Sequence, residues 1–140
     1  MALTIEAIDS GAGPRVAVLA LDGELDASNY ESLIDRVRAA HEAGASALVL
    51  DLGGLTFMAS SGLVALYSAV RLMRGDAPPD LELGWGAIHE IEDAADVESP
   101  VVRLAAVRPA VERVLERTGL KRLFHLDPSR AEAITALAGG

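Results

Sequence analysis

The sequence contains no cysteine. Disulfides, thiolate metal sites and cysteine nucleophiles are therefore excluded together, and the absence fits a reducing compartment. Histidine is scarce: His41, His89 and His125 are too few and too scattered to suggest a metal cluster. Neither Ser60 nor Ser61 has glycine two positions before it, so the Gly-x-Ser-x-Gly elbow of a serine hydrolase is missing. No Gly-x-x-x-x-Gly-Lys loop is present to cradle nucleotide phosphates. The chain is thus expected to have no catalytic residues, no metal and no cofactor.

The start, MALTIEAIDSG, lacks basic residues, and Glu6 and Asp9 interrupt its apolar positions. It does not read as a secretory signal, and a cytoplasmic location is expected. Residues 52–70 carry no charge and come close to the ~20 residues that span a bilayer. Gly53, Gly54, Thr56, Ser60, Ser61 and Gly62 interrupt the run, so a strand end, a turn and a helix start explain it better. No membrane insertion is expected.

What is present is hydrophobic and acidic. The 140 residues are 51% hydrophobic, enough for the core of one domain, and the net charge is −9. Nucleic acid is a poor partner for such a chain, because phosphate contacts need clustered Lys and Arg. The charge is unevenly placed. Residues 75–99 hold eight acids and no Lys or Arg, whereas the rest holds 13 acids against 12 basic residues. This acidic insertion, 75–99, reads as a long decorated loop or a specialised contact surface. Leu81, Leu83 and Trp85 within it alternate like a strand.

Periodicity orders the remainder. Residues 16–21, VAVLAL, read as a strand that stops at the turn pair Asp22-Gly23, with an earlier strand around Ile5 and Ile8. Ser28-Asn29-Tyr30-Glu31 has the form of a capping box, and Leu33, Ile34, Val37 and Ala40 continue it as a helix over 29–43. Residues 45–52 read as a buried strand ended by Gly53-Gly54. Leu63, Leu66, Tyr67, Val70 and Met73 line one face of a second helix. A strand over 101–106, a helix from Pro109 to Gly119, a short strand over 123–126 and a last helix over 131–138 follow. Asp127-Pro128 reads as the cap and first position of that last helix. The order β, β, α, β, α, insert, β, α, β, α predicts an α/β domain with helices packed on a mixed sheet.

Three stretches in this order resemble the STAS family, above all the bacterial anti-sigma-factor antagonists. Gly23-Glu24-Leu25-Asp26 is similar to that family's G-E-L-D signature. LVLDLGGLTFMASSGL, residues 48–63, is similar to its strand, turn and D-S-S-G-L segment. Residues 107–120, from VRPAV to TGL, resemble its Pro-initiated helix. The resemblance spans residues 1–140 as a single STAS domain, apart from the insertion. It implies phosphorylation at Ser60 by a partner that is both serine kinase and anti-sigma factor, with Asp26, Ser61, Gly62 and Leu63 in the partner-binding region. It also implies partner switching in transcription regulation. Where the family carries Asp before the serine, this chain has Ala59. The alternative is therefore a STAS module that binds a protein or small ligand, in a signalling or transporter-associated complex, without phosphorylation.

Two of these residues have plainer readings. Ser60 reads equally as the cap of the second helix, or Ser61 as the cap and Ser60 as the exposed acceptor. Asp26 also reads as a residue that holds the turn before the first helix. A position at a helix start suits a phosphate in any case, because free N–H groups and the positive end of the dipole lie there.

Overall fold

The computed structural model describes residues 2–13, 15–75 and 101–138. The acidic insertion beyond Gly75, with Leu81, Leu83, Trp85 and His89, lies outside the described residues.

Five strands form one sheet in the order β1-β2-β3-β4-β5: Leu3–Ile8, Val16–Leu25, Ala47–Met58, Val102–Ala105 and His125–Asp127. β1 and β2 pair antiparallel, and every later pair is parallel. The expected mixed sheet is thus present. Among the described residues the helices are α1 (Tyr30–Glu42), α2 (Ser60–Met73), α3 (Pro109–Thr118) and α4 (Arg130–Ala138), with a 3-10 turn at Leu120–Leu123.

Each crossover steps one strand further in the same direction, which places α1, α2 and α3 on one face. Leu33, Ile34, Val37, Val111 and Leu115 meet Leu48, Leu50, Leu52 and Leu104 there. Burying each such side chain is worth ~1.5–3 kcal/mol, so this face holds the main core. α4 turns back onto the second face, where Ala133, Ile134 and Leu137 meet Val16, Val18, Ala47, Val49 and Ala105. α2 is the central helix, and Gly62 through Val70 are all buried. A bilayer is not needed to explain the uncharged run. Among the described residues no helix is long and apolar enough to cross a membrane.

Two glycine pairs expected to end strands lie inside them instead. β2 runs through Asp22-Gly23 to Leu25, and β3 runs through Gly53-Gly54 to Met58. The pairing shifts between Ala20 and Asp22 and again between Gly23 and Glu24, so β3 carries an extra residue at each place. At Gly54 the strands approach so closely that a Cβ would stand 2.9 Å from the Leu21 carbonyl oxygen. Gly23 takes φ +114, and a Cβ there would collide with the Ala2 carbonyl. The glycines permit irregular pairing rather than stop it.

Other boundaries differ for local reasons. Ser28 does not cap α1. Asn29 holds the N-cap position, and its side chain bonds other parts of the turn. Asp127 belongs to β5 and is 9% exposed. Its carboxylate takes a bidentate pair from Arg103, at 2.8 and 3.0 Å. Ser129 caps α4 instead, accepting the Glu132 N–H at 3.2 Å. The last strand starts at His125 because Leu123 and Phe124 are turned into the main core. α3 begins at Pro109 and ends at Gly119 in the left-handed conformation, as the sequence predicts.

Candidate functional site

The carboxyl ends of β2 and β3 meet the amino ends of α1 and α2 on one rim. β2 ends at Leu25, whose carbonyl accepts the Ala59 N–H at 2.9 Å. This bond ties the segment before Ser60 to the segment holding Asp26.

Asp26 organises the turn. Its Oδ1 accepts the Ser28 N–H at 2.9 Å and also the Ser28 hydroxyl. Its carbonyl accepts the N–H groups of Asn29 and Tyr30. Asn29 Oδ1 accepts the Asp26 N–H, while Asn29 Nδ2 donates to the Glu24 carbonyl, both at 2.9 Å. The Ser28 hydroxyl and N–H hold the Asp26 carboxyl below its ordinary range. The turn reading of Asp26 accounts for all of these bonds.

Ser60 is the first residue of α2, and it is exposed. Ala59 is the N-cap, in extended backbone, and no side chain caps the helix. Neither serine is the cap that the sequence suggests. Ser61 Oγ is buried and has no hydrogen-bond partner. Gly62 is buried too. A Cβ there would meet Met58 Cγ at 2.5 Å and Leu25 Cδ2 at 3.0 Å. Gly62, expected in the partner-binding region, is thus closed over by the protein's own side chains. Leu63 is 2% exposed and belongs to the main core. Of the five residues expected at the site, Ser60 and Asp26 reach the surface, while Ser61 Oγ, Gly62 and Leu63 support it from beneath.

Phe57 was not singled out by sequence. It is 44% exposed, the large apolar side chain left open among the described residues. The register pairs it with Glu24, opposite in facing to the buried pair Leu25 and Met58. The signal for it was hidden, because the extra residue Thr56 breaks the alternation a regular strand would show. Thr56 Oγ1 donates to the Gly23 carbonyl at 3.1 Å and pins that irregularity.

The rim is poor in positive charge. Neither 16–35 nor 39–70 contains Lys or Arg. Arg108 is the nearby cation on the neighbouring strand end, and its Nε donates to the Gly53 carbonyl at 2.6 Å. Among the described residues, no group of three or more His, Asp or Glu is placed to hold a metal ion. The arrangement offers a hydroxyl and an aromatic face for contact.

Residues 8–76, from the end of β1 through α2, match the model of the STAS domain. The chain belongs to the STAS domain family. Solved structures share the fold over nearly the whole length. An anti-sigma factor antagonist from Mycobacterium paratuberculosis is 24% identical, with a TM-score of 0.67 over 97% of this chain and 94% of the other. The anti-sigma factor antagonist SpoIIAA in its unphosphorylated form is 20% identical, with a TM-score of 0.56 over 99% and 100%. The phosphorylated form of SpoIIAA, a Bacillus cell fate determinant, is 22% identical, with a TM-score of 0.52 over 95% and 96%. In this STAS domain the segment carrying Ser60 lies inside the matched region.

Proposed function

We propose that this STAS domain is a cytoplasmic, non-enzymatic anti-sigma-factor antagonist, switched by phosphorylation at Ser60. The observation that carries the reading is the exposed Ser60 at the start of α2, beside a turn held rigid by Asp26 and Asn29. A partner that is both anti-sigma factor and serine kinase supplies ATP. The γ-phosphoryl group passes to Ser60 Oγ, the hydroxyl proton leaves to the kinase or water, and ADP departs. The product carries roughly −1.5 to −2 extra charge at neutral pH. The positive end of α2 tolerates that charge locally, while the docking surface changes. The unmodified form holds the anti-sigma factor and the phosphorylated form releases it. The phosphorylated relative supports this reading by its form alone.

Ala59 favours a second reading. The carboxylate that the family places beside the serine is missing here, and the domain then binds its partner constitutively.

The test incubates the purified protein with ATP and each anti-sigma-factor kinase encoded by the source genome. Intact mass and binding are read together. One added phosphate, absent in Ser60→Ala, with binding lost on modification, supports the switch. No phosphate with binding retained selects the constitutive binder. Neither phosphate nor binding with any kinase overturns the proposal.

A further inference from the structure

α4 covers only part of the second sheet face. Towards the carboxyl ends of the strands no other described residue covers that face, and it forms a depression of about 320 Å³ floored by Ala20 and bordered by Glu6, Asp22, Asp51 and Arg130. Arg130 is neutralised there by Asp51, its Nε pairing with Asp51 Oδ2 at 2.8 Å. Arg108 is tied to the Gly53 carbonyl at the edge, and the charged lining residues Glu6, Asp22, Asp51 and Arg130 leave the depression net negative through Glu6 and Asp22. Glu24 follows Asp22 on the same side of β2, and Phe57 stands beside Glu24. An open aromatic side chain thus sits at the end of an acidic trough. Phe57 is also three positions before Ser60, so trough and acceptor share the rim.

We infer that this open face is a docking surface for a basic segment of the partner protein, with Phe57 as its apolar anchor. The inference rests on the partner-switching reading and names the partner's chemistry: an apolar pocket flanked by Lys or Arg. Charge complementarity selects that occupant. A second copy of this chain would bring the same acids against each other, and an acidic or phosphorylated segment would be repelled by Glu6, Asp22 and Glu24. Anchors of this kind are aromatic and carry a large share of binding, whereas rim charges act mainly on the rate of encounter. The two parts of the surface therefore have separable signatures.

The experiment uses the kinase that binds or modifies Ser60 in the assay above. Phe57→Ala should weaken its binding about 30-fold or more. Phe57→Leu, which keeps an apolar side chain, should recover part of the loss. The triple variant Glu6→Gln, Asp22→Asn, Glu24→Gln should slow association and flatten its salt dependence, with a smaller change in dissociation. Thermal melts of each variant establish that it is folded. Phe57→Ala and the triple variant both binding within twofold of the wild type, while phosphorylation or Ser60→Ala still alters the complex, would overturn this surface and leave the switch standing. Absence of any kinase partner would remove the switch reading and this inference with it.

Discussion

Replacing Gly62 by alanine sets two effects of known sign against each other. Gly62 is the third residue of α2. Alanine in a helix is favoured over glycine by about 0.5–1 kcal/mol. Against this, the new Cβ would stand 2.5 Å from Met58 Cγ, and 3.0 and 3.1 Å from Leu25 Cδ2 and Cγ. Met58 has a flexible side chain and can give. Leu25 is 0% exposed and cannot move outward. Overpacking of a closed core costs about 1–3 kcal/mol, so the clash wins by roughly 1 kcal/mol. Urea unfolding of Gly62→Ala should show a lower midpoint at an unchanged slope. The melting temperature should fall by roughly 3–5 °C for a chain of this size. In a Met58→Ala background the loss should shrink, because the methyl group then has room and the two sites are in contact. A midpoint at or above that of the wild type would refute the argument. It would mean that the glycine is not held by the ends of β2 and β3.

Three further outcomes follow from the described contacts. Ala59→Asp places a good cap at an extended N-cap position that lacks one, and thermal denaturation should show a gain of about 1 kcal/mol. Asp127→Ala strips Arg103 of its bidentate partner in a mostly buried site, and denaturant unfolding should show a loss of about 3 kcal/mol. The Asp26 carboxyl titrates below its ordinary value of 3.8 in the folded protein, so its contribution to stability is present above that value and is lost as the pH falls through the folded one. Ser28→Ala removes the largest cause, and carboxyl NMR should show the Asp26 titration moving back up. An unmoved titration would show that the hydroxyl is not the source.

The order of strands and helices was legible because it is written in apolar periodicity: Leu63, Leu66, Tyr67 and Val70 are buried as their spacing predicts. The family resemblance was legible in short motifs, and the matched region contains two of its three stretches. What failed were signals whose meaning depends on a distant neighbour. Gly23 and Gly54 look like stops, yet each answers to a backbone from another strand. Asp127 looks like a cap, but its partner Arg103 is 24 residues away. Gly62 was expected in the partner-binding region, and only the packing of Leu25 and Met58 shows that it is closed over. The position of Ser60 could be read from the helix start, whereas the exposure of Phe57 could not, because an added residue in β3 cancels the alternation.

The burial of α2 limits how any message at Ser60 can travel. Almost every residue after its first turn is wedged between the sheet and its neighbours, so the helix has no room to slide or tilt as a lever. Under the proposed switch, a phosphate on that serine is read where it is written, by whatever touches the surface. In that reading the rest of the molecule is a fixed mount for a label.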